Sequence, residues 1–405
     1  MDLTSDNLVE ALTVVSGQAA ASPMEIADLV RQVQPGFAPT IFSAWKAEGR
    51  TLNPAMAYEV DYARKKVDYY RSVAATVKSA VPALSTIKGL EVAALYPDHL
   101  IRLQSDLDFI APSQADLWQA VSLLTDDGWK MFTATFLQLE GDLHVMVSLE
   151  RDPGDEYRPA LHLELTTYFT SGNQGGIPHI MRLPDEWLAP GIKNTVMLLH
   201  ERYEQPFRAR DLIDAVLLTD SLNDAQVGEL HKAVIALGLV VAYDELVKLV
   251  AKTSLPPLRP LPGGLLTVAR GRARRVTRGA SYFSNPVGGT GRTLQRRSMQ
   301  GKLSRAEGLA WEALQRQLSV TAGVGQGMLA FGLPINGPRP DVTDAVLRRK
   351  GKLVWADTPA GRFLLTLGDY VTQAGIDELS GNGQSRAGAE ATGAGRAAES
   401  AETSR

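Results

Sequence analysis

The sequence predicts an α+β protein: a small mixed or antiparallel sheet flanked by helical regions, then a basic linker and a smaller C-terminal region. Three observations predict it. Apolar residues recur every three or four positions before residue 83 and again across 185–252. Residues 84–170 instead alternate apolar and polar positions between turn residues. From Lys252 to Arg305 there are twelve Lys or Arg and no Asp or Glu, just after a Pro- and Gly-rich break at 255–264.

The helical half begins with Asp6 or Ser5 as a cap and Ser22-Pro23 opening a second helix. A longer helix follows Asn53-Pro54, where Val60, Ala63, Val67, Tyr70, Ala74, Val77 and Val81 form one apolar face and Pro82 closes it. This region, 1–83, is expected to be an accessory helical domain or lid. A short strand is expected at 84–87, a helix from Gly89, and a strand at 107–110. Ser113 caps a helix over 114–124, which Asp126-Asp127-Gly128 stops. A hairpin is expected from 136–140 and 143–149 around Gly141-Asp142. Residues 161–165 alternate strictly, with His162 and Glu164 on the polar face. Helices are expected at 207–218, 225–237 and 241–250. The organisation predicted is therefore 1–83 helical, 84–184 catalytic, 185–252 helical, 253–304 basic and flexible, and 305–379 a small region with a helix at 306–318 and short apolar stretches. The tail at 380–405, made of Gly, Ala, Ser and Glu, is expected to be disordered.

Composition narrows the function. A chain of 405 residues has room for two or three domains, and 44% hydrophobic with 21% charged residues is ordinary for a folded soluble protein. Cysteine is absent, which excludes disulfides, thiolate nucleophiles and thiolate zinc sites. No run of 18 apolar residues predicts a membrane span. The N-terminal stretch is acidic and unlike a signal peptide, so a cytoplasmic location is expected. Net charge is −3, so outside the basic stretch the chain carries −15.

The chemistry concentrates at Ser105-Asp106-Leu107-Asp108-Phe109-Ile110. On a strand, residues two apart point the same way, so Asp106 and Asp108 share one face and repel each other. Divalent cations give a reason for that pairing, because magnesium prefers carboxylate oxygens and bridges them to a triphosphate in nucleotidyl transfer. Lys88-Gly89, 16 residues before Ser105, is expected at a strand-to-helix turn where backbone approaches phosphate closely. Glu164 is the candidate third carboxylate. His162 reads as a surface or hydrogen-bonded histidine. The other histidines show no metal-ligand spacing.

Ile87-Lys88-Gly89, Leu95-Tyr96-Pro97 and Arg102-Leu103-Gln104-Ser105-Asp106-Leu107-Asp108-Phe109-Ile110 together resemble the signature of the polymerase-β-like nucleotidyltransferase superfamily. The nearest likeness is its branch of uncharacterised nucleotidyltransferases, where Lys-Gly replaces Gly-Ser. The later Arg208-Ala209-Arg210-Asp211-Leu212-Ile213-Asp214 resembles the helix that follows the catalytic sheet there. The likeness covers about residues 54–250. It implies that Asp106 and Asp108, with Glu164, bind Mg2+ and carry the catalysis, while Lys88, Gly89, Arg102 and Ser105 lie near the nucleotide. That branch shows an acid before a histidine on its third strand; here His162 precedes Glu164. Either Glu164 takes the third place or the site has two acidic ligands. Arg102 has an alternative role, pairing with Asp106 or Asp108 when metal is absent, and Arg210 with Asp211 also reads as an exposed helix pair.

The basic stretch has two readings. Through 259–305 it contacts a polyanion, with Tyr282 and Phe283 as a stacking platform beside Arg270, Arg272, Arg274 and Arg275. Alternatively it is a flexible linker packed on the acidic remainder, which the lack of a nucleic-acid-binding signature favours. The function expected is a magnesium-dependent nucleotidyltransferase that moves a nucleoside monophosphate from a nucleoside triphosphate to a hydroxyl or phosphate. The acceptor is a small molecule, peptide, protein or RNA, and no membrane is involved. The alternatives are a toxin-like enzyme acting on transfer RNA, or a degenerate relative that only binds nucleotide or nucleic acid.

Overall fold

The computed structural model describes residues 3–368 except 140, 155–158, 171–179, 282–285, 338, 340 and 352. Glu140, Tyr282, Phe283 and the tail at 380–405 lie outside the described residues, as do the side chains of Arg274 and Arg275.

The N-terminal helices are α1 (Ser5–Ser16), α2 (Pro23–Val33), α3 (Ala38–Ala47) and α4 (Pro54–Ala80). Thr4, rather than Ser5 or Asp6, caps α1, with Asn7 closing a capping box. Ser22 caps α2 with Glu25, and Asn53 accepts the Met56 N–H at the start of α4. The expected stripe on α4 is buried, but it serves two cores. Val60, Ala63 and Val67 pack with the other helices, whereas Tyr70, Val73, Ala74 and Val77 pack on the sheet. One helix therefore fixes the helical layer against the sheet.

The sheet runs through β1 (Ser85–Ile87), α5 (Gly89–Ala93), β2 (Asp106–Ile110), α6 (Gln114–Asp126), β3 (Lys130–Leu139), β4 (Asp142–Arg151) and β5 (Leu161–Thr166). Four more strands join it: β6 (Ala330–Asn336), β7 (Val346–Lys350), β8 (Leu353–Thr358) and β9 (Gly361–Thr366). The order is β1-β2-β5-β4-β3-β6-β9-β8-β7, and among these pairings only β2 with β5 is parallel. The sheet is larger than the sequence suggests, because the C-terminal strands extend it rather than forming a sheet of their own. Without β6, the outer edge of β3 would expose unpaired N–H and C=O groups. Gly332 makes the join possible. A Cβ there would lie 2.9 Å from both Phe136 and Phe363.

Four helices follow β5: α7 (Pro190–Glu201), α8 (Ala209–Asp220), α9 (Asp224–Ala236) and α10 (Val240–Val250). The basic stretch, expected to be flexible, contains two helices, α11 (Gly264–Ser281) and α12 (Pro286–Met299). Among the described residues, each buries one large apolar residue, Val268 on α11 and Leu294 on α12, and is further anchored by residues that periodicity does not detect. Gly271 lets α11 approach Val240 so closely that a Cβ would sit 2.8 Å away. Gln295, buried on α12, donates to the carbonyls of Leu329 and Leu367 and accepts the Leu329 N–H. Helices α13 (Arg305–Gln317) and α14 (Val320–Val324) lead into β6. Among the described residues, no helix is long and apolar enough to cross a membrane.

Candidate functional site

On β2, Leu107 and Phe109 are buried at 1% and 0% exposure, so alternation turns Asp106 and Asp108 to the opposite face. The parallel register sets Asp108 beside Glu164 and Asp106 beside His162. Asp106, Asp108 and Glu164 line one cleft of about 510 Å³, a volume typical of small-molecule sites. His162 is exposed and is not among the cleft residues. Of His162 and Glu164 on β5, Glu164 is therefore the one that reaches the carboxylate pair. Ser148 on β4 donates to it at 3.4 Å.

Burial pushes the Asp108 carboxyl up to about 8. The Lys88 ammonium opposes that rise, while Asp106, Glu164 and Glu201 add to it. Glu164 is also raised, first by burial and then by Asp106. Two of the four acids in this region, Asp108 and Glu164, thus hold their protons more tightly than usual, whereas at Glu201 burial is outweighed by Lys88, which lowers that carboxyl. Carboxylate oxygens in this arrangement suit a hard divalent cation. Among the described residues, no three His, Asp or Glu converge closely enough to hold an ion unaided. Phosphate oxygens of a substrate would have to complete such a shell. The candidate ligands are Asp106, Asp108 and Glu164.

Lys88 and Gly89 form the turn between β1 and α5. Lys88 has φ 55° and ψ −121°, and it is the only non-glycine with positive φ among the described residues. That backbone conformation disfavours an L side chain, and strain of this kind concentrates at functional sites. Helix α7 holds it in place. The Lys88 N–H donates to Asn194 Oδ1 at 2.6 Å, and Lys88 Nζ sits 2.5 Å from Glu201 and 3.8 Å from Asp108. Burial works against the Lys88 charge, yet Glu201 and Asp108 raise its pKa overall. Asn194 also donates to Glu91, and so does Lys193, which is buried at 7% exposure. Gly89 packs closely against Gln104, so a Cβ there would push the Gln104 side chain aside.

Helix α4 braces the other end of β2. Lys66 Nζ and Tyr70 Oη both donate to the Ser105 carbonyl, at 3.0 and 3.1 Å, and Tyr70 accepts the His162 N–H. Burial lowers the Lys66 pKa, and nearby Asp106 opposes that change. Ser105 Oγ donates to Asp106 at 2.8 Å.

Arg102 does not pair with Asp106 or Asp108. Its guanidinium is buried against Asp214, with donor distances of 2.6 and 2.9 Å, and Tyr96 Oη donates to the same carboxylate. It meets the Lys88-Gly89 turn only through the Gly89 carbonyl, at 3.3 Å. Arg210 is not part of an exposed pair either. It is half-buried, lines the cleft and donates to the Leu103 carbonyl at 2.9 Å.

Sequence reasoning missed Lys66, Asn194, Glu201 and Arg210. Only Lys193-Asn194-Thr195, polar residues inside the otherwise apolar face of α7, offered a signal. Compared with known proteins, the chain matches no family model, no curated protein and no solved structure.

Proposed function

We propose that this protein is a nucleotidyltransferase that uses magnesium to move a nucleoside monophosphate from a nucleoside triphosphate to a hydroxyl or phosphate acceptor, releasing pyrophosphate. The observation that carries this reading is the register of β2 with β5, which gathers Asp106, Asp108 and Glu164 in one cleft. A fold has little structural reason to gather three half-buried carboxylates in one cleft. Bound there, magnesium would supply the charge that offsets both the carboxylates and the triphosphate.

The chain's own residues divide the remaining work. Asp106 and Asp108 would hold the cation. Lys88 presents its ammonium beside Asp108, on a turn clamped by Asn194 and Glu201. Where the site has only two acidic ligands, Glu164 is left free, and its carboxylate takes the proton of the acceptor hydroxyl as the new P–O bond forms. The bond to the leaving pyrophosphate breaks, and its electrons go with the leaving oxygen. Arg102 acts only as a support behind Gly89. The acceptor class is a small molecule, peptide, protein or RNA end, and the compartment is the cytoplasm.

A non-catalytic nucleotide-binding relative is the second reading. It is favoured by the position of Lys88 Nζ, a fixed cation already beside Asp108 and Glu201. Incubation with magnesium and each α-labelled ribonucleoside triphosphate, with total RNA and the protein itself as acceptors, separates the two. Label that depends on Asp106 and Asp108 supports transfer. Transfer that persists in an Asp106→Asn, Asp108→Asn protein overturns the site. Triphosphate binding with no transfer to any acceptor supports the second reading.

A further inference from the structure

We infer that Arg208, Arg210 and Gln104 form a phosphate-binding wall of the cleft that works without a metal ion. The inference deepens the transfer reading and rests on it only for the identity of the ligand.

The acids around the cleft are mostly matched with cations. Glu201 pairs with Lys88, Glu204 with Arg296 and Asp214 with Arg102. Arg208 and Arg210 line the same cleft, yet neither makes an ion pair among the described residues. Arg208 is exposed and rests its Nη2 on Gln205 Oε1. Arg210 spends Nη1 on the Leu103 carbonyl, and its Nε is buried with no partner.

Next to Leu103 stands Gln104, 2% exposed and lining the cleft, with neither Oε1 nor Nε2 hydrogen-bonded. Buried polar atoms are rarely left this way, and each asks for a partner. Phosphate oxygens accept from a guanidinium in forked pairs and from an amide N–H, so one tetrahedral anion answers Arg210 and the Nε2 donor of Gln104, while Gln104 Oε1 needs a separate donor. Two acids count against the site. Asp211 accepts the Arg208 N–H at 2.8 Å and lies close enough to feel Arg210. Glu201, already paired with Lys88, feels Arg210 as well. Gln104 is two residues before Asp106, so a phosphate held here stands beside the carboxylates.

The same chemistry has two sources: the polyphosphate of the nucleotide, or a phosphate on the acceptor. The test is calorimetric titration of pyrophosphate into the full chain carrying Asp106→Asn and Asp108→Asn, in EDTA. These substitutions remove the carboxylate pair and leave the arginine wall. Binding should persist, and it should weaken about tenfold or more in Arg208→Gln and in Arg210→Gln. Arg210→Lys, which keeps the charge but not the fork, should fall between. Arg208 is exposed, so its variant also guards against loss of fold, checked by its melting temperature. No binding, or binding unchanged in the double arginine variant, overturns the inference. A non-hydrolysable triphosphate that displaces pyrophosphate one for one assigns the wall to the nucleotide; simultaneous binding assigns it to the acceptor. Pyrophosphate binding without nucleotide transfer would sink the transfer reading alone, and transfer without this binding would sink the wall alone.

Discussion

At Asp108, burial and three neighbouring acids outweigh one ammonium, so ionisation costs the folded state free energy. Asp108→Asn should therefore raise the stability of the metal-free protein by about 1–2 kcal/mol while lowering transfer about a thousandfold. Thermal melting in EDTA and the labelling reaction check the two halves. A less stable variant would mean that the Lys88 attraction dominates instead. Asp211 offers a test of pH. Burial raises its carboxyl to about 6, against the Arg208 N–H and the Arg210 charge, which lower it. A raised carboxyl binds its proton more tightly when folded, so its contribution is fullest near pH 4 and is lost as pH rises toward 6. Asp211→Asn keeps the hydrogen-bond geometry without that loss. Its melting temperature relative to wild type should rise between pH 4 and pH 7. A constant difference would show that Asp211 titrates normally.

Among the elements, the turn between β1 and α5 and its clamp on α7 carry most of the argument. Lys88 occupies a backbone region that glycine takes without strain. Lys88→Ala and Lys88→Gly both remove the contacts to Glu201 and Asp108, but only glycine relieves the backbone. Lys88→Gly should therefore be more stable than Lys88→Ala by about 1 kcal/mol, and both should lose activity. Chemical denaturation of the pair measures that difference. Equal stability would show that α7 imposes no strain on the turn. The order of the elements explains why the clamp is not visible from sequence. Asn194 stands 106 residues after Lys88, and Asp214 stands 112 after Arg102. The apolar stripe of α4 and the strict alternation of β5, by contrast, are local patterns and were readable. Helices α11 and α12 escaped because, among the described residues, each has a single buried aliphatic anchor, Val268 or Leu294, beside Gly271 and Gln295, where a stripe of leucines would have been recognised.

For the whole molecule, the join of β3 with β6 decides whether the C-terminal strands belong to the same unit as the carboxylate site. Phe136 and Phe363 meet across Gly332, with ring centroids 6.0 Å apart. Gly332→Val should force these rings apart and cost about 2–3 kcal/mol. If the sheet is one cooperative body, that cost lowers a single melting transition. Two transitions, with only the smaller one shifted, would make β6–β9 a separate unit. The sequence by itself determined the α+β character, the facing of Asp106 and Asp108 and the presence of Glu164 on an alternating strand, because strand and helix periods are written in neighbouring residues. Only the tertiary structure decided that Glu164 lies beside Asp108, that Arg102 belongs to Asp214, that Lys88 is held by α7 and that the sheet continues to β7. Each of those depends on which buried charge or open strand edge meets which partner far along the chain, and periodicity says nothing about pairing at that distance.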